Sequence, residues 1–159
     1  MVVMQPRERV RDALCERTCE LAAHFDQIES AELAERKVSA SGSTRCVHLW
    51  RLRANLPVIL ERHVDKTLLE WTTIVEWQAR EYESHWLVRP RSVEKASLLC
   101  EATVALSPAV RGKGTRVDVE LTLPAALKAP ALQSIASSIL SNHFRQLIDA
   151  TSRLSDASK

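Results

Sequence analysis

From Pro130 to Leu154 the apolar residues Leu132, Ile135, Ala136, Ile139, Leu140, Phe144, Leu147, Ile148 and Leu154 recur at three- and four-residue spacing. That period predicts a long amphipathic helix over 130–154, one face of which must be covered by the rest of the chain. At 1.5 Å per residue the helix would run roughly 37 Å. A second apolar stripe, Val10, Leu14, Leu21, Ala22 and Phe25, follows Pro6, a residue suited to an opening helical turn, and predicts a helix over about 7–25.

Between these two helices the period changes from about 3.6 to two. Leu69, Trp71, Thr73, Val75 and Trp77 alternate with Glu70, Thr72, Ile74, Glu76 and Gln78, and Val117, Val119, Leu121 and Leu123 alternate with Arg116, Asp118, Glu120 and Thr122. Such alternation marks strands buried on one face. In the run 44–55, Cys46, His48, Trp50 and Leu52 share a side opposite Arg45, Val47, Leu49, Arg51 and Arg53, and this split of charge leads to the first set being expected inside. Cys100, Ala102, Val104 and Leu106 stand opposite Glu101 and Thr103 in a strand expected over 98–106. Weaker patterns predict strands at 26–40, 58–64 and 85–89, and Val2 to Met4 reads as a short first strand. Turns are expected at Ser41-Gly42-Ser43, Asp65-Lys66 and Arg111-Gly112-Lys113-Gly114. The expected organisation is one α+β domain over 1–159. It has a strand stub and helix in 1–27, an antiparallel sheet of about six or seven strands in 28–123, and a C-terminal helix in 130–154. A curved sheet wrapped around one long helix leaves a cavity where the two diverge.

Composition narrows the function classes. With 22 basic and 20 acidic side chains the formal charge is +2, too balanced to direct the chain to DNA or a membrane surface by charge alone. No run approaches the roughly 20 apolar residues of a membrane-spanning helix, and no basic segment followed by an apolar signal core opens the chain. A cytoplasmic location without membrane insertion is the expectation, and a homodimer stays open. Cys15, Cys19, Cys46 and Cys100 are expected as reduced thiols, because a chain of this size has little need of disulfide staples. Cys15 and Cys19 lack the tight pairing typical of structural zinc sites, so no metal is expected.

Candidate chemistry lies on the inward faces. His143 falls among Ile139, Leu140, Leu147 and Ile148 on the apolar side of the last helix, where an imidazole serves as a core group, a ligand contact or an acid–base. His48 shares its face with Trp50, and Trp71 shares its face with Trp77. These four would make an aromatic wall with a polar handle, or simply core. Arg51, Arg53 and Arg62, with Arg89 and Arg91 flanking Pro90, form a basic strip that neighbouring Glu61, Glu70 and Glu76 can neutralise. The sequence Arg111-Gly112-Lys113-Gly114-Thr115 lacks the spacing of a nucleotide phosphate loop, and no GxSxG elbow or HExxH motif is present.

Helix, antiparallel strands and one long C-terminal amphipathic helix, in that order, resemble the helix-grip fold of the START-like (SRPBCC) superfamily. The opening Val2-Val3-Met4-Gln5-Pro6-Arg7-Glu8-Arg9-Val10 looks like its first strand-to-helix junction, and Trp86-Leu87-Val88-Arg89-Pro90 is similar to a late strand. The first strand is shorter than that pattern. The resemblance implies a cavity for lipids, quinones, polyketides or other apolar molecules, without a cofactor and in most members without catalytic machinery. The expected contacts are His143, Ile139 and Leu147 from the helix, with Trp71, Trp77, His48 and Trp50 from the sheet. The rival readings are a cofactor-independent polyketide cyclase or dehydratase using a pocket histidine, and a protein- or RNA-binding module with a filled core.

Overall fold

The computed structural model describes residues 1–53, 69–78, 81–91, 100–109, 112–124 and 130–154. The strand expected at 58–64, Arg62, the turn at Asp65-Lys66 and the side chains of Leu132 and Ile135 lie outside the described residues.

Seven strands form one antiparallel sheet: β1 (Val2–Val3), β2 (Ile28–Val38), β3 (Thr44–Leu52), β4 (Glu70–Trp77), β5 (Glu83–Pro90), β6 (Cys100–Pro108) and β7 (Thr115–Thr122). Their spatial order is β1-β7-β6-β5-β4-β3-β2, so each neighbour from β2 to β7 is also the next in sequence, and the short β1 closes the far edge beside β7. The sheet is curved and open, and its concave side is covered by helices. Trp50, Val75, Trp77, Trp86, Val104 and Val117 point into that side and are at most 2 % exposed. The period-two expectations therefore hold where alternation is strong.

β2 is the exception that explains its own weak pattern. Register shifts between Ile28 and Ser30 and between Leu33 and Glu35 insert β-bulges against β3. Ala31 and Leu33 lie opposite the inward Trp50 and His48, but past the second bulge it is Arg36 and Val38 that lie opposite the inward Cys46 and Thr44. Each extra residue resets which parity faces the core.

The first helix is corrected from one element to two: α1 (Arg7–Glu16) and α2 (Thr18–Ala22). Arg17 leaves helical geometry at φ −122°, ψ 20°, and the buried Thr18 hydroxyl donates to the Leu14 carbonyl at 2.6 Å. A hydroxyl bonding back onto the preceding turn bends a helix, and the apolar stripe runs on across the bend. α3 (Pro130–Leu154) is continuous over its 25 residues.

α3 docks on α1, α2, β1 and β7. Leu147, Ile148, Ala150 and Leu154 are buried there. The Gln5 side-chain amide donates to the Thr151 carbonyl at 2.8 Å, while the Thr115 hydroxyl donates to the Gln5 carbonyl at 2.7 Å. These bonds tie the β1–α1 junction, the β6–β7 hairpin and the end of α3 together. Among the described residues no helix is long and apolar enough to cross a membrane.

Candidate functional site

Where the first half of α3 faces β4, β5 and the start of β6, helix and sheet enclose a cavity of about 340 Å³. Its lining is mainly apolar: Ile28, Leu52, Trp71, Val88, Ile139 and Leu140 face it, with His143 at one side. Ile139 is 61 % exposed, which places it at a mouth open to solvent. Glu70 also lines the cavity, but its carboxylate is engaged by two guanidinium groups. Arg51 Nη2 donates at 2.7 Å to one oxygen, and Arg91 holds the other. Of the basic strip, these two arginines are thus ion-paired on exposed positions.

His143 is fixed by aromatic rings set roughly at right angles to it. Its centroid lies 4.8 Å from Trp50, 5.8 Å from Trp71, 5.8 Å from Phe144 and 6.2 Å from Phe25. Trp71 in turn lies parallel to Trp50 at 5.9 Å. Burial pushes the His143 pKa down from 6.5 to about 4, so the ring is neutral at pH 7. Its Nε2 is enclosed and has no hydrogen-bond partner among the described residues, a state that costs about 1–3 kcal/mol. Behind this cage, Trp50 Nε1 donates to the Thr73 hydroxyl at 2.9 Å, and Thr73 Oγ1 lies 3.5 Å from His48 Nδ1. Burial lowers the His48 pKa to about 4 as well.

A second, polar crevice of about 240 Å³ adjoins the cavity. Gln27 and Gln146 line both, so they form the shared wall. Beyond them stand His24, Asp26, Asp149 and Arg153, over a floor of buried Phe25 and Ala150.

No protein-family model matches the chain, and no curated protein matches it by sequence. Solved structures do match over nearly its full length. A structure of TTHA0849 from Thermus thermophilus superposes with a TM-score of 0.66 at 18% identity, covering 100% of this chain and 96% of that one. Ara h 8.0201 gives a TM-score of 0.64 at 12% identity over 97% of this chain and 92% of its own. The Zhui aromatase/cyclase from Streptomyces sp. R1128 gives 0.60 at 12% identity over 98% and 90%. The chain has the helix-grip fold.

In this helix-grip frame the seven sequence candidates divide. His143, Ile139 and Trp71 meet at the cavity. Trp50 is stacked on Trp71 from the neighbouring strand, and His48 lies 6.3 Å from Trp50 and is as deeply buried, and neither lines the cavity. Leu147, one turn beyond His143, and Trp77, at the far end of β4 with Arg11 of α1 over its ring, are both 0 % exposed and do not line the cavity. The strand and helix periods identify an inward face but not where along it the two layers part. Leu52 and Leu140 share the inward faces already read from the sequence, whereas Gln27, Asn142 and Gln146 are polar and carry no periodic signal. Their one clue is helical spacing, since Asn142 and Gln146 flank His143 on α3. The four cysteines are free thiols, and among the described residues no group of three or more His, Cys, Asp or Glu is placed to hold a metal.

Proposed function

We propose that this protein binds an apolar or amphipathic small molecule, of the lipid, quinone or polyketide kind, in the cavity between its sheet and α3. The observation that carries this reading is the cavity itself: about 340 Å³, mainly apolar, walled by Trp71, Val88 and Leu140 and open beside Ile139. Burying apolar ligand surface there supplies about 25 cal/mol per Å². Ligand sites of this size and polarity are typical for small molecules. The likeness to an aromatase/cyclase and to Ara h 8.0201 supports the fold on which the reading rests. Free thiols fit a reducing compartment, in keeping with a cytoplasmic protein.

Binding is favoured over catalysis by the placement of the two histidines. His143 Nε2 is enclosed within its aromatic cage, and His48 does not line the cavity, so neither that nitrogen nor the His48 ring meets a molecule held in the cavity. A filled interior, which the interaction-module alternative requires, is not what the described residues form.

Titration with N-phenyl-1-naphthylamine, a neutral dye that fluoresces on leaving water, tests the reading. The expected result is saturable binding that Ile139→Trp weakens more than tenfold without changing Tm, because Ile139 is an exposed residue at the mouth. Failure of the dye and of a broad set of apolar compounds to bind would overturn it. Turnover of a polyketide-like substrate that is lost in His143→Leu would instead favour the cyclase.

A further inference from the structure

The cavity and the crevice beside it differ sharply in chemistry yet share two walls, Gln27 and Gln146. In the cavity, among the described lining residues, no Lys or Arg is present and the carboxylate of Glu70 is taken up by Arg51 and Arg91. An ionised group inside it would lose hydration without gaining a partner of opposite charge. The crevice supplies the opposite surroundings. Asp26 and Asp149 are acceptors, Arg153 is a fork of donors, and the two carboxamides offer both. Two aspartates and one arginine stand together there, so a charged head of either sign meets a like charge, and donors and acceptors both line a crevice that Phe25 also borders.

The geometry points to a bipartite ligand: an uncharged apolar body in the cavity, joined past Gln27 and Gln146 to an uncharged, hydroxyl-rich head held in the crevice by Asp26, Asp149 and Arg153. A hydroxyl both donates and accepts, so several on one ring match carboxylates, carboxamides and a guanidinium at once. A carboxylate head would bond Arg153 but face two aspartates, and an ammonium head would bond the aspartates but face Arg153. This inference rests on the binding reading above and specifies the polar end of the same ligand.

Three naphthalene probes with different heads test it by direct fluorescence titration. They are 2-methoxynaphthalene, with no head, 2-naphthyl β-D-glucoside, with an uncharged hydroxyl-rich head, and 2-naphthyloxyacetate, with an anionic one. The glucoside is expected to bind at least about tenfold more tightly than 2-methoxynaphthalene, a difference of about 1.4 kcal/mol. Asp149→Ala and Arg153→Ala, both at exposed positions of α3, should bring the glucoside down to the level of the methoxy compound and leave the latter unchanged. Equal affinity for the two neutral probes overturns the inference while the cavity reading stands. Tightest binding of the naphthyloxyacetate overturns it in favour of an anion held by Arg153. If no probe binds, the inference falls, and the binding reading falls with it when N-phenyl-1-naphthylamine and the broad set of apolar compounds also fail to bind.

Discussion

At the scale of single residues, Thr73 is the hinge of the buried polar groups behind the site. Its hydroxyl accepts from Trp50 Nε1 at 2.9 Å, leaving its own proton free to turn toward His48 Nδ1. Thr73→Val keeps the shape but strands the indole N–H, and should cost about 1–3 kcal/mol in urea denaturation. The two buried histidines set a pH dependence. Both have folded pKa values lowered from 6.5 to about 4, so between those values the unfolded chain binds more protons than the folded one. Their contribution is intact above about pH 6.5 and is lost as the pH falls toward 4, at up to about 1.4 kcal/mol per pH unit for each ring. Urea midpoints at pH 7 and pH 5 should therefore differ, and His143→Leu should remove about half of the histidine share of that difference. His143 and Trp71 were legible as inward-facing because spacing alone places them. Their depth was not, since Trp50 and Trp71 carry the same signal on neighbouring strands, yet one is sealed at 2 % exposure and the other lines the cavity.

Among the elements, the β6–β7 hairpin shows how a turn can be fixed by its neighbour. Gly114 has φ +98°, and a Cβ there would stand 2.5 Å from the Val3 carbonyl oxygen of β1. Gly114→Ala meets both a left-handed backbone and a backbone clash, and should destabilise the protein by more than about 1 kcal/mol, read from the denaturation midpoint. The two glycines were legible as a turn, whereas the close approach of β1 was not, because it pairs segments more than a hundred residues apart. The break at Arg17 was hidden for a different reason. Val10, Leu14 and Leu21 keep one helical stripe across it, and the bend comes from a hydroxyl-to-carbonyl bond that periodicity does not register.

For the molecule as a whole, the order of elements was the most legible property. One long amphipathic helix after a run of alternating strands leaves few ways to bury both faces, and the seven-strand grip around α3 is one of them. The cavity follows from where α3 is anchored. Its last turns are held by Gln5, α1 and α2, so its first half spans the concave sheet without closing on it. A ligand seated there binds the folded chain alone and should raise stability by about 2.7 kcal/mol at a concentration a hundred times its Kd, seen as a rise in Tm with added ligand.

The two bulges of β2 bear on how copies of this protein meet one another. β2 ends the described sheet, and a straight terminal strand would offer its unpaired amides and carbonyls as a template for a second chain. Here the ladder is interrupted twice, leaving regular runs only at Ser30 to Leu33 and Glu35 to Val38, the second carrying Glu35, Arg36 and Lys37. Kinked, charged and cut into short lengths, this edge discourages edge-to-edge stacking into fibrils, so a protein that keeps an apolar cavity open to water also protects the rim by which it would otherwise aggregate.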